Sequence, residues 1–283
     1  MAYRGRFFIR QRVWRCGQYA SIVFCPVFQP PGMRRSRCRP TRECQQLINE
    51  RDSAQKLLRL VRENYTEQDL ELDLTYGEPP SVEEAVKEAR KYIRRLRQMY
   101  RKTGADLKWV LIWEQGVRSG RVHFHLIING GAVGRDEMEA LWTHGYANSR
   151  RLRMDEKGLA PLTEYLTKKS RHGQRQAGQR RWTCSRNMHR PEPGIRDGAV
   201  KVREVEQLAE DIERRSAEGT LRELLGDMGL EDMTLVEAEA IRNPVNRGMY
   251  IRLELAAPET WHGRRPVARY FSGDLGGDED ERM

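Results

Sequence analysis

The chain has 283 residues, of which 38% are hydrophobic and 33% are charged, and it carries a net charge of +10. This length suits one large domain or two small ones with an apolar core. No apolar run approaches the about 20 residues that a membrane helix needs, and the chain begins without the layout of a signal peptide. The sequence therefore predicts a cytoplasmic protein with no membrane partner.

The positive charge is concentrated in two zones. Residues 1–60 contain 12 Arg and 1 Lys against 3 acidic residues, and residues 150–190 contain 9 Arg and 3 Lys against 3 acidic residues. Dense zones rich in arginine indicate contact with a phosphate backbone. The alternative is a solvated surface without a nucleic-acid partner. The candidate DNA-binding residues are Arg34, Arg35, Arg37, Arg150, Arg151, Arg153, Lys169, Arg181 and Arg186.

The first predicted region, residues 1–60, is a basic N-terminal arm. Pro30-Pro31-Gly32 and Pro40 interrupt it, and it has room for one or two strands before a helix over residues 41–63.

The predicted core spans residues 61–192. Leu70, Leu72 and Leu74 alternate with polar residues, which predicts a strand over residues 69–76. A capping box, Ser81–Glu84, then predicts a helix that ends near Lys102. Strands over 107–114 and 121–129 flank a turn and form an antiparallel hairpin. A helix over 135–142, a strand over 145–154 and a helix over 158–169 complete the order β-α-β-β-α-β-α.

This order predicts an α+β fold with a central antiparallel sheet and helices packed on it. Residues 193–272 are predicted as a mainly helical C-terminal extension, with one helix over 200–228 and a late strand over 249–255. The acidic tail, residues 273–283, is predicted to be disordered.

His123 and His125 are two residues apart on a predicted strand. Their imidazoles therefore point to one face, while Phe124 points to the core. Two imidazoles on one face can hold a divalent metal ion, although such a pair can also be structural. Glu114 ends the preceding strand, and the hairpin brings it close as a candidate third ligand. A nucleotide hydrolase of the histidine-triad type would need a third histidine where Ile127 stands.

Tyr165 is the second candidate for chemistry. Lys168 and Lys169 follow it by three and four residues, on the same face of the predicted helix. A tyrosine hydroxyl has a reference pKa of about 10 and is mostly protonated at neutral pH. A metal-polarised phosphate eases its attack, and a nearby lysine stabilises the developing charge. The alternative is a core tyrosine beside surface lysines.

Taken together, these residues resemble the HUH endonucleases that initiate rolling-circle replication, whose motif has two histidines flanking a bulky hydrophobic residue. The chain is similar in particular to replication-associated proteins of prophages and small plasmids, which are related to the filamentous-phage initiator. The resemblance covers roughly residues 12–192, and it rests on Arg34–Arg39 before Pro40-Thr41, Asn64-Tyr65-Thr66, Trp113-Glu114, Gly120-Arg121-Val122-His123, Trp142, Gly145, Gly158-Leu159 and Arg181–Asn187.

The resemblance implies that Tyr165 attacks a phosphodiester of single-stranded or hairpin DNA at a replication origin. A 5′-phosphotyrosine forms, and a free 3′-hydroxyl primes synthesis. The resemblance also implies that His123, His125 and Glu114 hold Mg²⁺ or Mn²⁺, and that Lys168 assists, with Lys169 as its rival. Closing the nick needs no ATP, because the covalent ester conserves the bond.

The position of Tyr165 after the histidine pair is the order expected of replication initiators and single-strand transposases, whereas conjugative relaxases place their tyrosine first. The chain has no Gly-x-x-x-x-Gly-Lys-Ser/Thr loop, so a host helicase and polymerase are expected partners. Three alternatives stay open: a single-strand transposase or mobilisation nickase, a non-catalytic DNA-binding repressor, and a metal hydrolase acting on nucleotides.

Overall fold

The computed structural model describes residues 7–28, 42–78, 80–115, 122–153, 182–243, 247–260 and 267–272; of residues 42–48, 50, 114, 115 and 267–272 it describes the backbone. These residues belong to two compact units, one containing residues up to Arg59 and from Pro191 onward, the other containing those from Leu60 to Arg190. Both units combine β-sheet with helix, which confirms the predicted α+β class. None of the helices in these ranges is long and apolar enough to cross a membrane.

The elements follow one another along the chain with short connections. In chain order they are β1 (Phe7–Cys16), β2 (Tyr19–Phe28), α1 (Arg42–Asn64), β3 (Leu70–Thr75), α2 (Val82–Lys102), β4 (Trp109–Gln115), β5 (Val122–Ile128), α3 (Arg135–Ala140), β6 (Ala147–Arg151), β7 (Trp182–Cys184), β8 (Gly194–Asp197), α4 (Val202–Glu213), α5 (Glu218–Gly226), β9 (Thr234–Arg242), β10 (Met249–Ala256) and β11 (Val267–Ser272).

The unit from Leu60 to Arg190 is built on a five-stranded antiparallel sheet with the order β6-β3-β5-β4-β7. Helix α2 begins at the predicted capping box: the Ser81 hydroxyl accepts a hydrogen bond from the Glu84 N–H, and the Glu84 carboxylate accepts one from the Ser81 N–H at 3.2 Å. Its apolar side, which includes Tyr92 and Leu96, shares one buried cluster with Leu72 and the other leucines of β3. The chain order β3-α2-β4-β5-α3-β6 confirms the prediction for this part of the core.

The other unit is built on a six-stranded sheet with the order β11-β9-β10-β2-β1-β8. Strand β11 runs parallel to β9, and the other neighbouring pairs are antiparallel. One face of this sheet forms an apolar core with helices α4 and α5, in which Ile22, Leu253 and Leu208 are fully buried. The opposite face carries charged residues, including Glu239 and Arg252.

Two parts of this organisation differ from the sequence-based prediction. Residues 7–28 form a hairpin inside the six-stranded sheet instead of a basic arm, because β2 pairs with the distant strand β10. Residues 193–272 contain four strands and two α-helices among the described residues, instead of a mainly helical extension. The predicted helix over 158–169 and the acidic tail lie outside the described residues.

Candidate metal centre

One face of the five-stranded sheet collects the candidate ligands. Side chains alternate between faces along a strand, and Phe124 of β5 is fully buried on the face that packs with α2. His123 and His125 therefore belong to the opposite face. Asp73 of β3 is the register partner of His125, and Glu71 lies two residues before Asp73 on the same strand. Two imidazoles and two carboxylates thus share one face of the sheet.

The closest contact in this group joins His125 to Asp73. The Nδ1 atom of His125 lies 2.6 Å from Oδ1 of Asp73, which is a short hydrogen bond. The same Nδ1 atom lies 3.5 Å from Oε1 of Glu71, a distance that gives electrostatic attraction without a good hydrogen bond. Only 16% of the His125 side chain is exposed, so both interactions act in a partly desolvated setting. Asp73 is therefore the residue that fixes the orientation of the His125 ring.

Arg150 of β6 contacts both carboxylates from the neighbouring strand. Its Nε atom donates to Oε2 of Glu71 at 3.1 Å, and its NH1 group lies 3.1 Å from Oδ2 of Asp73. Glu71 is buried, and a buried carboxylate is costly unless it is paired. Arg150 and a protonated His125 together balance the two negative charges of Glu71 and Asp73.

The electrostatics of the group follow from these contacts. Burial opposes protonation of His125, but the hydrogen bonds to Asp73 and Glu71 outweigh it and raise the pKa of His125 to about 9. Burial likewise acts to raise the pKa values of Glu71 and Asp73, but attraction to His125 and Arg150 holds both below their usual range. His123 also helps to lower the pKa of Asp73, which places its ring near the group. A metal ion that binds His125 must therefore displace a proton.

The donor set fits a divalent metal ion. Within the described residues, Glu71, Asp73 and His125 form a group whose ligand atoms all lie within 4.8 Å of one another. Carboxylate oxygen and imidazole nitrogen suit Mg²⁺ or Mn²⁺. Direct binding to both carboxylates would require Arg150 to release them. In a second arrangement Asp73 keeps the Nδ1–H of His125, and the metal uses Nε2, because a ligating histidine commonly bonds a carboxylate through its other nitrogen.

The structure brings some of the sequence-predicted residues to this face. Residue Glu114 of β4 is the register partner of His123, although its side chain lies outside the described residues. Arg150 joins the acid pair, whereas Arg151 donates instead to the main-chain oxygen of Gln68 at 2.6 Å. Two further predicted cations, Arg153 and Arg186, are exposed. The remaining predicted residues lie outside the described part of the chain: Tyr165, Lys168, Lys169, Arg34, Arg35, Arg37 and Arg181.

The sequence-based analysis missed Glu71 and Asp73. Both residues stand at the polar positions of the strand defined by Leu70, Leu72 and Leu74, and these positions share one face because they are two residues apart. Two acidic residues on the polar face of a strand next to a His-x-His strand are the signal that could have identified them.

Comparison with known protein families gives a match that spans the candidate metal centre. Residues 69–170 match the sequence model of the replication-associated protein ORF2 family. The matched segment covers less than half of the chain, and it includes β3 to β6, both histidines and Tyr165. The match supports a replication initiator and is consistent with nuclease activity. No curated protein and no solved structure shows a significant similarity to the chain.

Proposed function

We propose that the chain initiates DNA replication by nicking one DNA strand through metal-dependent transesterification. One observation carries the proposal: His123 and His125 share a sheet face with paired acidic residues, inside the segment that matches the replication-associated family. A neutral structural histidine pair would have no use for a carboxylate pair that keeps one imidazole protonated.

In this proposal His123, His125 and Glu114 hold Mg²⁺ or Mn²⁺. When bound, the ion polarises a phosphate oxygen and neutralises the charge that develops on it. The register pairing of residue 114 with His123 supports the choice of Glu114. Asp73 keeps the ring of His125 in one orientation through Nδ1, and Arg150 holds Asp73 in turn. Asp73 and Arg150 are positioning residues, because they act on the ligand and not on the substrate.

Tyr165 is the proposed nucleophile. Its phenolic oxygen forms a bond to the phosphorus, and the bond from the phosphorus to the 3′ oxygen of the preceding nucleotide breaks. The phenolic proton leaves as the new ester forms, and the departing oxygen takes up a proton to become a free 3′-hydroxyl. Lys168, or Lys169 in its place, stabilises the developing negative charge. The reverse step, with a 3′-hydroxyl as the nucleophile, closes the nick.

Four other tyrosines of the same unit are unsuited to this role. Tyr65, Tyr76, Tyr92 and Tyr100 are buried, and burial raises the pKa of each hydroxyl. Each hydroxyl also donates a hydrogen bond to a main-chain oxygen, as Tyr92 does to Met138 at 2.9 Å. A nucleophilic tyrosine must reach the substrate and lose its proton, so these four hydroxyls serve the core instead.

The experiment incubates the full-length chain with Mn²⁺ and a pool of randomised single-stranded oligonucleotides, and resolves covalent adducts on a denaturing gel. We expect an adduct from the wild-type chain and none from Tyr165→Phe, which keeps the ring and removes the nucleophilic oxygen. His125→Ala should lose the metal-dependent adduct while it still binds single-stranded DNA.

An adduct that persists in Tyr165→Phe would show that Tyr165 is not the nucleophile. DNA binding without any adduct from the wild-type chain would favour a repressor, and nucleotide hydrolysis without an adduct would favour a metal hydrolase. Sequencing of the captured oligonucleotides would give the preferred site, and an origin-like site separates an initiator from a transposase or mobilisation nickase.

A further inference from the structure

Tyr146 is an exposed aromatic residue beside the candidate metal centre. It exposes 68% of its surface, and it stands directly before β6, on the same unit as the histidine pair. Tyr146 and Thr75 exchange main-chain hydrogen bonds of 3.2 and 2.9 Å, and Thr75 is the register partner of His123. Tyr146, Thr75 and His123 therefore occupy one row across three strands. Two strand spacings separate the ends of this row, or about 10 Å between the backbones.

The backbone that carries Tyr146 is held firmly in place. Gly145 lies so close to β3 that a Cβ atom there would meet the main-chain oxygen of Thr75 at 2.4 Å, so the position requires glycine. Trp142 donates from Nε1 to the same oxygen at 2.8 Å, and its ring packs edge-on against Tyr76 with a centroid distance of 5.0 Å. The ring of Tyr146 is therefore presented to solvent by a fixed main chain.

Polar and cationic groups continue along β6 on the same face. Asn148 is the register partner of Asp73, and Arg150 is the partner of Glu71, so both positions share the face of the histidine pair. Asn148 is exposed, and 52% of the Arg150 side chain is exposed although it contacts the acid pair. Exposed Arg153 follows shortly after the strand. An exposed aromatic followed by an amide and cations is the combination that binds a single-stranded nucleic acid.

We propose that Tyr146 is a stacking platform for an unpaired base of the DNA strand to be nicked, next to the phosphate that reacts at the metal centre. The inference rests on the proposed function for the identity of the ligand, which is single-stranded DNA. Stacking on an aromatic ring tolerates any base, so Tyr146 contributes affinity and strand positioning without sequence preference. Duplex DNA does not use this platform, because its bases are already stacked.

The test measures binding of fluorescent oligo-dT to the full-length chain without added metal. Tyr146→Ala should weaken binding by about 5- to 100-fold, which corresponds to the loss of one stacked base. Tyr146→Phe keeps the ring and should retain most of the affinity. The matched control is Ile195→Ala, which removes the exposed Ile195 side chain of the other unit and should leave affinity unchanged. Duplex binding should be the same for Tyr146→Ala and the wild-type chain.

A second readout locates the base directly. Oligo-dT with 5-iodouracil at one position is cross-linked by near-ultraviolet light, and the modified peptide is identified by mass spectrometry. We expect a cross-link at Tyr146 that Tyr146→Ala abolishes. Wild-type affinity in Tyr146→Ala without a cross-link would overturn the platform, even if the covalent adduct still forms and the proposed function stands. Loss of the adduct in Tyr146→Phe would also overturn it, because Tyr146 would then be a nucleophile. Failure of the wild-type chain to form any adduct would contradict the proposed function alone.

Discussion

The two sheets of the protein each carry a charged face, and they use it differently. In the six-stranded sheet the charges satisfy one another. Ser21 donates to Oε2 of Glu254 at 2.7 Å, and both Arg51 and Arg252 contact the carboxylate of Glu239. Carboxylates and guanidinium groups of this kind keep their charges across the physiological pH range. Such a network orders the packing between a sheet and a helix, and it offers no group that exchanges protons near neutral pH.

In the five-stranded sheet the corresponding face contains imidazoles. Asp73 and Glu71 are paired with Arg150, much as in the other sheet, but they also hold the proton of His125. Imidazole is the side chain whose proton a metal ion displaces near neutral pH. The difference teaches that paired charges on a sheet face do not identify a functional site by themselves. A titrating ligand held by those charges does identify one.

The first prediction concerns the pH dependence of stability in the metal-free protein. The pKa of His125 is about 9 in the folded chain and about 6.5 in an unfolded chain. A raised folded pKa contributes stability that is complete below about pH 6.5 and is lost as the pH rises through about 9. The free energy of unfolding should therefore fall by up to about 3 kcal/mol over this range, measured by urea denaturation in EDTA.

Asp73→Asn provides the control, because it removes the charge that holds the proton on His125. Its unfolding free energy should change much less between pH 6.5 and 9. Parallel curves for the wild-type chain and Asp73→Asn would show that the Asp73–His125 pair does not control the protonation of the histidine.

The second prediction concerns metal affinity. Asp73→Asn should weaken Mn²⁺ binding by about 10- to 100-fold, because the carboxylate orients His125 and strengthens its basicity as a ligand. Titration calorimetry at pH 8 measures the dissociation constant. The matched control is Asp197→Asn in the six-stranded sheet, since Asp197 also pairs with a cation, Arg10, at 2.7 Å. Equal affinity in Asp73→Asn and the wild-type chain would contradict the positioning role of Asp73.

Much of the five-stranded unit follows from local sequence. The alternation of Leu70, Leu72 and Leu74 predicts β3, and the Ser81–Glu84 capping box predicts the start of α2. Both signals depend on residues that are neighbours in the chain. The six-stranded sheet was not predicted, because its central pairing joins β2 to β10, with Ile22 opposite Leu253. Nothing in a local pattern reports which distant strand will supply a partner.

The same limit applies to the site. Two histidines two residues apart predict a shared face, and β5 has them there. The partners Glu71 and Asp73 come from β3, and their match to β5 depends on a register that no local pattern gives. Arg150 was expected to contact DNA, and its contacts with both acids follow from the pairing of β3 with β6. The exposure of Tyr146 likewise depends on the packing of its neighbours.

The last and smallest prediction tests whether the charged face of the six-stranded sheet is structural. Ser21→Ala removes a buried hydrogen bond to Glu254, which is 4% exposed, and should lower the free energy of unfolding by about 1.5 kcal/mol. The exposed Ser216 gives the matched control, and Ser216→Ala should leave stability unchanged. Urea denaturation measures both variants, and Mn²⁺ titration should give the wild-type affinity for each. A weaker Mn²⁺ affinity in Ser21→Ala would mean that the network around Glu254 also supports the metal centre, and that the two faces do not have separate roles.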